Sequence, residues 1–423
     1  MTKGTHTLGV DFGTSNSAVG FALDGVAQLI SVEPNEQTLP TAVFFDFDAQ
    51  KVVYGAPAQS ALIAGEEGRY MRALKSLLGT ALMREGRMLL GKRRDFIMIV
   101  GDFLAELKRR AEAASGLEFD RALSGRPVLF HSANERRNAQ AEIDLRDCYL
   151  AAGFKDVRFM PEPEAAALAN RDALDAGDVG LIVDIGGGTW DFRLFRQHGD
   201  TEIDILVSNG LRLGGTDFDR ELSLTQVMPL LGHGSQIRHA FGGETHRAPN
   251  AIFADLATWQ KIPFLYGADT RRVAADLAKY AVEPDKLERL VQVLEDQLGH
   301  DVAFAVEAGK IAANTSGGLA LPEIDLAVLE TGLSVPLPVA LLTYTLAEMA
   351  QEIAASALNT MVKAQMQPQD VTRLILVGGS SLMDVVEGAL RNAFPQAEVH
   401  QGSALTAIVD GLALASEVAF AQG

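Results

Sequence analysis

The sequence is poor in several residue types and patterns, and each shortage excludes a class of protein. There is one cysteine, Cys148, in 423 residues, so no internal disulfide can form, and the helical pattern around it predicts a buried thiol. No apolar run approaches the roughly 20 residues of a membrane-spanning helix, and MTKGTHTLGV contains no signal-peptide core. The histidines show no zinc-ligand spacing, and no GxxxxGK[ST] or GxGxxG motif follows a predicted strand. These absences predict a cytoplasmic protein without a zinc site.

Positive charge is also scarce, because 37 Lys and Arg stand against 55 Asp and Glu, for a net charge of −18. Such a charge repels nucleic-acid backbones and anionic lipids, so neither nucleic acid nor a membrane is expected as a partner. Any bound phosphate must be held locally by backbone amides, a metal ion and a few lysines. A hydrophobic content of 48% with 22% charged residues is ordinary for a folded α/β protein. The length predicts more than one lobe.

An internal repeat built on glycine turns is the main positive signal. The opening segment LGVDFGTSNSAV is echoed by LIVDIGGGTWDF, which aligns Asp11 with Asp184 and Gly13 with Gly186. Each copy predicts an apolar strand, a carboxylate, a glycine turn and a returning strand. Glycine tolerates positive φ, so the turns can offer N–H groups to an anion. Two such tips predict a phosphate clamp, with one Asp from each managing Mg²⁺ through water.

Polar residues beside the two turns fit the same purpose. Thr14, Ser15 and Asn16 follow the first turn, and Thr189 follows the second. Asp191 alternates with Thr189 along the returning strand and is predicted to face the same cleft. The local alternative stays open for each of them, since such residues also bond to their own turns. Trp190, which lies between Thr189 and Asp191, is predicted to be in the core.

Three further features are weaker evidence for a functional site when each is taken alone. The strand LILV opens through Gly378, Gly379 and Ser380 into a helix start, which is typical of a phosphate or nucleoside site. Glu162 stands between two prolines that fix its backbone, although a helix-start glutamate has the same pattern. Lys75 lies in a helical pattern, where a lysine is ordinarily solvated.

The alternation of strands and helices predicts an α/β fold with mixed sheets flanked by helices. We expect lobe I to comprise residues 1–178 and a C-terminal helix at 403–423, with an insertion at about 39–117 that reads as helical from residue 56. Lobe II is expected at 179–402, with a largely helical insertion at about 223–338.

Taken together, these motifs resemble the ATPase domain of the DnaK-type heat-shock chaperone family. The resemblance is carried, in chain order, by LGVDFGTSNS, MPEPEAAAL, DIGGGTWDF, LRLGGTDFD and LILVGGSS. That family belongs to the actin, hexokinase and heat-shock superfamily. The resemblance therefore implies an actin-like ATPase fold with a ribonuclease-H-like sheet in each lobe, and ATP or ADP with Mg²⁺ as cofactors.

The resemblance also implies roles for matching positions. Catalytic roles fall on Lys75, Glu162, Asp184 and Thr189, and the metal falls to Asp11 and Asp184. The implied nucleotide contacts are Asp11, Gly13, Thr14, Ser15, Asn16, Gly186, Gly187, Gly188, Asp191, Gly214, Gly215, Glu307, Lys310, Ile311, Asn314, Gly378, Gly379, Ser380 and Leu382.

Three departures from the family pattern bear on function. Ile311 and Leu382 stand where arginines usually flank the adenine, so cation–π stacking is lost and base preference is open. Glu135 stands where an arginine is expected after the proline of RPVLF, Pro127, which resembles the family's proline switch. The chain also ends after the ATPase domain, so it resembles the truncated, YegD-like branch, and no peptide-binding domain is expected.

The leading hypothesis from the sequence is a slow Mg-ATPase of chaperone type, with a protein client or co-chaperone of unknown identity. One alternative is a nucleotide-sensing adaptor that does not hydrolyse ATP. Another is a small-molecule kinase of the same superfamily, against which the LGGTDFD run and Glu162 argue.

Overall fold

The computed structural model describes residues 6–34, 36–171, 175, 177–198, 202–239, 244–316, 321–401 and 406–420. The chain divides into two compact units, of which one comprises Met1–Gly215 with Gln351–Gly423 and the other Thr216–Ala350. Among the described helices, none combines the length and apolar character needed to span a membrane. The predicted lobe boundary at residues 178 and 179 stays a prediction.

The strands of the described residues are numbered in chain order. They are β1 (His6–Phe12), β2 (Asn16–Leu23), β3 (Val26–Ile30), β4 (Thr38–Pro40), β5 (Ala42–Asp46), β6 (Lys51–Tyr54), β7 (Gly68–Arg72), β8 (Arg87–Leu89), β9 (Lys92–Arg94), β10 (Phe119–Arg126), β11 (Asp156–Pro161), β12 (Val179–Ile185), β13 (Trp190–His198), β14 (Glu202–Leu211), β15 (Gln236–Arg238), β16 (Thr245–Arg247), β17 (Glu323–Asp325), β18 (Ser334–Pro336), β19 (Arg373–Val377) and β20 (Glu398–His400).

The α-helices of the described residues follow the same convention. They are α1 (Ala56–Ile63), α2 (Phe96–Ser115), α3 (Glu135–Ala151), α4 (Glu162–Ala169), α5 (Gly215–Leu222), α6 (Asn250–Leu256), α7 (Ala268–Tyr280), α8 (Pro284–Glu295), α9 (Gly299–Thr315), α10 (Val339–Lys363), α11 (Asp384–Ala393) and α12 (Ala407–Ser416).

Two sheets in the unit of residues 1–215 and 351–423 repeat one strand plan. The first sheet has the order β11-β10-β1-β2-β3, with β4 added to β2, and the second has the order β20-β19-β12-β13-β14. In each sheet three successive strands form an antiparallel meander. The first strand of each meander then pairs in parallel with a later strand, β10 or β19. This shared topology confirms the α/β fold with mixed sheets and the duplication predicted from the glycine segments.

The core of these sheets accounts for the two residues predicted to be structural. Trp190 on β13 has no exposed surface, and neither has Cys148 on α3. Burial raises the pKa of the Cys148 thiol, which keeps it protonated. Both predictions of burial are confirmed.

Helix α12 covers the first sheet because glycines leave room for its backbone. A Cβ on Gly9 would lie 2.8 Å from the backbone nitrogen of Ala413, and one on Gly20 would lie 3.1 Å from the Ala413 Cβ. Where α12 meets α4, a Cβ on Gly411 would lie 1.8 Å from the carbonyl oxygen of Ala165. No side chain fits at Gly411 unless the helices move apart. The predicted C-terminal helix at 403–423 corresponds to α12, although residues 402–405 and 421–423 lie outside the described part.

Two stretches that were predicted to be helical contain strands. Within residues 56–117, β7 pairs with β5 in a small sheet that also includes β6, and β8 pairs with β9. The second stretch was predicted to be helical from about residue 225 to 334 except for a loop around GGETHRAPNA; there β15 pairs with β16, which lies in that loop, and β17 pairs with β18. These strands have three to five residues, and each is stabilised by a partner rather than by its own pattern. The helical prediction was wrong there for that reason.

The close approach of α12 to α4 gives a stability prediction. We expect Gly411→Ala to lower the free energy of unfolding by about 1–3 kcal/mol, because the added methyl overpacks the contact with Ala165. Gly388→Ala on α11 is the matched control, since no described atom lies within 4 Å of its Cβ position. That control should gain roughly 0.5–1 kcal/mol in helix propensity. Urea unfolding of both variants measures the difference, and equal effects would contradict the packing account.

Candidate nucleotide site

The tips of the two repeated hairpins meet. A Cβ on Gly187 would lie 2.6 Å from the Ser15 Oγ, and one on Gly188 would lie 2.9 Å from the Thr14 Oγ1. The first tip is itself a tight turn, because a Cβ on Gly13 would lie 2.0 Å from the carbonyl oxygen of Asn16. The glycines therefore let two backbones approach as closely as a shared anion requires.

Two more glycine segments close around the second tip. The Gly215 N–H donates to the Gly186 carbonyl at 2.8 Å, and a Cβ on Gly214 would lie 2.3 Å from the Gly188 nitrogen. Gly378 has φ +82°, and a Cβ there would lie 2.5 Å from the carbonyl oxygen of Ile185. After Gly378 the chain enters a 3₁₀ turn at Gly379–Leu382 rather than an α-helix. The structure thus brings the three predicted glycine turns together.

Lys75 and Glu162 form a buried ion pair between the hairpins. The Lys75 Nζ lies 2.6 Å from the Glu162 Oε1, and the two residues are only 8% and 4% exposed. Lys75 sits in a 3₁₀ turn, Leu74–Leu77, so the sequence pattern was wrong in suggesting a solvated helical lysine. The turn follows Ala73, whose φ of +57° is unusual for a residue with a Cβ. Lys75 lies among the residues of the cleft, as the resemblance implied.

Local sequence fixes the orientation of Glu162. It is the first residue of α4, directly after Pro161, and Pro163 follows in the first turn, where a missing N–H costs nothing. Gly125 on β10 makes room for it, because a Cβ at that position would lie 3.1 Å from the Glu162 Cγ. The prolines and the glycine therefore aim one carboxylate at Lys75.

Four carboxylates crowd the region, three on the buried residues Glu162, Asp184 and Asp191 and one on the half-buried Asp11. Burial, with a smaller contribution from Glu162, raises the pKa of Asp11 to about 7, and the charge of Lys75 only partly offsets this. The same two causes raise the pKa of Asp191 to about 7. Burial, Glu162 and the two other aspartates raise the pKa of Asp184 well above its usual range. Burial acts to lower the pKa of Lys75, but the charges of Glu162, Asp11 and Asp184 together outweigh it, so the pKa is raised and the lysine stays charged. The cluster carries more potential negative charge than Lys75 balances.

Lys75 and three of the carboxylates, those of Asp11, Glu162 and Asp184, line one cleft of about 110 Å³. That is smaller than the roughly 300–1,000 Å³ of a pocket for a whole drug-sized ligand, so it suits the phosphate end of a ligand with its cation. Ile408, which no sequence signal singled out, also contributes to the wall. The predicted residues that line it are Asp11, Gly13, Thr14, Ser15, Asn16, Lys75, Glu162, Asp184, Gly186, Gly187, Gly188, Thr189, Gly378 and Gly379.

Other predicted residues of the same unit lie close by without lining the cleft. Asp191 is fully buried, and its Oδ1 accepts the Val128 N–H at 2.7 Å, which ties β13 to the segment after Pro127. A Cβ on Gly215 would lie 2.2 Å from the Ser380 Oγ. Leu382, at the end of that 3₁₀ turn, is 36% exposed. Asp191 was predicted to face the cleft, but it is not among the residues that line it.

The remaining predicted contacts, Glu307, Lys310, Ile311 and Asn314, belong to α9 in the unit of residues 216–350. The Lys310 Nζ lies 2.5 Å from the Oδ1 of Asp219, whose Oδ2 accepts the Trp259 Nε1–H at 3.2 Å. Sequence reasoning missed Asp219 as a partner, although it noted the LGGTDFD run to which Asp219 belongs. Ile311 is 53% exposed. Their nucleotide contacts stay predictions.

The cleft has the chemistry that a magnesium ion requires. Within the described residues the Asp184 Oδ1 is buried and has no hydrogen-bond partner, which is costly unless a cation or water satisfies it. Asp11 and Asp184 would supply oxygen ligands, which Mg²⁺ prefers. In the described part of the chain, no three His, Cys, Asp or Glu side chains converge on one metal position. A hydrated ion held by two carboxylates is the arrangement that fits.

Sequence comparison finds similarity to one known family. A family model described as Hsp70 protein matches residues 89–228. The chain is 26% identical over 399 residues to chaperone protein DnaK of Thermosipho africanus, covering 93% of this chain and 55% of the relative. It is 25% identical over 423 residues to the DnaK of Thermosipho melanesiensis, covering 96% and 60%. A chaperone protein HscA homolog of Aeromonas salmonicida is 28% identical over 238 residues, covering 52% and 37%.

These matches make the chain similar to Hsp70 proteins and support an ATPase domain of the DnaK type. The family implies the actin-like ATPase fold, in agreement with the two duplicated sheets. The chain spans a little over half the length of the DnaK relatives.

The raised pKa of Asp191 predicts a pH dependence. The unfolded chain ionises this group near 3.8 and the native state near 7, so its contribution to stability is present at low pH and is lost as pH rises through about 7. Between pH 6 and 8.5 that loss amounts to about 1.4 kcal/mol. Asp191→Asn keeps an acceptor for the Val128 N–H and should reduce the loss by that amount. Urea unfolding across this range tests the prediction, with exposed Asp48→Asn as the control. A wild-type slope in Asp191→Asn would contradict it.

Proposed function

We propose that this protein binds Mg-ATP at the junction of the two glycine hairpins and hydrolyses it slowly. One observation carries the proposal, namely the meeting of both glycine tips over a cluster of buried carboxylates that contains a buried Lys–Glu pair. The tips supply donors for phosphate oxygens, and the carboxylates supply oxygen ligands for a cation. Chaperone function, after which the relatives are named, is part of the same proposal.

In this mechanism the hairpin tips bind the β- and γ-phosphates. Gly186–Gly188 line the cleft from one hairpin, and Thr14 and Ser15, which carry hydroxyl groups, line it from the other. Donors from two separate elements favour the state in which both tips are in place, since the ligand gains contacts only then. Asp11 and Asp184 would hold Mg²⁺ through water, and the bound ion would neutralise part of the phosphate charge.

The Lys75–Glu162 pair is proposed to act on the attacking water. Lys75 engages the Glu162 Oε1, which leaves the other oxygen, Oε2, to accept a hydrogen bond from water. The pair is positioned before any ligand arrives, because the prolines beside Glu162 fix its backbone and a 3₁₀ turn fixes that of Lys75. Hydrolysis of this kind depends on positioning and charge stabilisation rather than on covalent chemistry.

Removal of the pair is expected to abolish turnover. Lys75→Ala should lower the rate of phosphate release at least about 100-fold, the usual effect of deleting one preorganised electrostatic group. The ATP dissociation constant should change much less, because the glycine tips are untouched. Lys92→Ala, at an exposed lysine on β9, is the matched control.

The design must separate lost chemistry from lost folding. Glu162 left alone would be a buried unpaired charge, at a cost of roughly 3–5 kcal/mol. The double variant Lys75→Ala with Glu162→Gln removes both charges and should fold, as circular dichroism can verify. Wild-type turnover in that double variant would overturn the proposed roles.

The nucleotide-sensing alternative is motivated by Ile311 and Leu382, which replace the arginines expected beside the adenine. Calorimetric titration with ATP, ADP and GTP, each with Mg²⁺, measures binding, and a phosphate-release assay measures hydrolysis. Together they distinguish an ATPase from a nucleotide-sensing adaptor. The ATPase proposal expects both binding and release. Binding without detectable release would favour the adaptor, and no binding of any nucleotide would contradict both.

A further inference from the structure

A pair of side chains outside the cleft grips the turn that carries Lys75. The Arg212 guanidinium, just after β14, donates through Nη2 to the Ser76 carbonyl and through Nη1 to the His131 Nδ1, the latter at 3.0 Å. The His131 Nε2 lies 2.7 Å from the Leu78 carbonyl. Arg212 is therefore hydrogen-bonded directly to the carbonyl before Leu77, and through His131 to the carbonyl after it.

The partners of His131 fix its tautomer and charge. A carbonyl can only accept, so the Nε2 must carry the proton that it shares with Leu78. Arginine can only donate, so the Nδ1 must be the lone-pair acceptor. The observed contacts thus require a neutral imidazole. A proton on Nδ1 would remove the acceptor and place two cations at hydrogen-bond distance.

The gripped turn has an unusual backbone that needs outside support. It follows Ala73 at φ +57°, a left-handed conformation that costs of order 1 kcal/mol without glycine. Beyond the turn, the Gly79 N–H donates to the Asp144 Oδ2 at 2.9 Å. A Cβ on Gly79 would lie 2.9 Å from the His131 Nε2, so the imidazole fits directly against the backbone.

We propose that Arg212 and His131 are positioning residues that hold the Lys75 turn in its catalytic conformation, and that protonation of His131 releases it. The inference rests on the proposed function of Lys75, because it assigns a consequence for catalysis to the release. It extends that function to residues that do not line the cleft and that no sequence motif identified.

The surroundings of His131 set the direction of its response. Burial and the charges of Arg212 and Arg137 lower its pKa below the ordinary 6.5, although the hydrogen bond to Leu78 acts the other way. Asp144 on α3, which accepts the Gly79 N–H at the end of the turn, is also paired with Arg84. The neutral form is therefore native, and its contribution is lost as pH falls below 6.5 toward the lower native pKa.

Hydrogen exchange in the absence of nucleotide tests the grip directly. In Arg212→Gln, amides of residues 74–80 should exchange at least about tenfold faster than in the wild type at pH 7.5, as expected for a lost charged hydrogen bond. Arg136→Gln, at an exposed position on α3, is the control and should leave that segment unchanged. Unchanged exchange in Arg212→Gln would overturn the proposal. If that variant does not fold, Arg212→Lys, which keeps the charge but not the fork, should show the same increase.

A pH series isolates the histidine. In the wild type the exchange of residues 74–80 should accelerate as pH falls from 7.5 to 5.5, after correction for the intrinsic rate. In His131→Asn the amide oxygen can stand in for the Nδ1 and does not titrate, so this acceleration should be absent. The aspartates of the cleft titrate equally in both proteins. Equal acceleration in both proteins would contradict a role for His131.

Steady-state kinetics link the grip to catalysis. Arg212→Gln should lower kcat about tenfold or more while KM for ATP stays within about threefold, since the phosphate contacts are intact. An unchanged kcat beside faster exchange would overturn the catalytic part of the inference. Absence of hydrolysis by the wild type would instead contradict the proposed function, and the exchange data would still decide whether the grip exists.

Discussion

The structure depends on one electrostatic constraint, which is the burial of several carboxylates around a single lysine in the cleft. Asp11, Asp184, Asp191 and Glu162 crowd together, and Lys75 pairs directly with only one of them. Burying unbalanced charge is costly, so in the absence of a cation some of these groups hold protons near neutral pH. The divalent cation of the proposed function would relieve the same cost. Its binding would therefore stabilise the folded protein.

The glycines follow from that constraint. A polyanion can approach buried carboxylates only if donors and a cation meet it at close range. Gly187 and Gly188 lie so near Thr14 and Ser15 that no Cβ fits between the two hairpins. Duplication of one strand plan in two sheets delivers a carboxylate and a glycine turn from each side. The duplicated fold thus accounts for the two matching hairpins. Lys75 and Glu162 lie outside this repeat and carry the proposed chemistry.

Sequence reasoning succeeded where function is encoded locally. The repeat around Asp11 and Asp184 predicted both hairpins and the duplicated sheets, because apolar strands and glycine turns are local signals. It failed for Lys75, whose burial depends on a 3₁₀ turn and on Glu162, 87 positions away. It also failed for β7, which is stabilised by pairing with β5, and for the link between His131 and Arg212. Such long-range partners leave no pattern in a single sequence.

The central claim is that both glycine tips bind one Mg-nucleotide together. Hydrogen exchange of residues 13–16 and 186–189, with Mg²⁺ and a non-hydrolysable ATP analogue, tests it most directly. The account predicts that both segments become protected together, and that the analogue without Mg²⁺ protects them much less. Protection of only one tip, or of neither at saturating ligand, would contradict it.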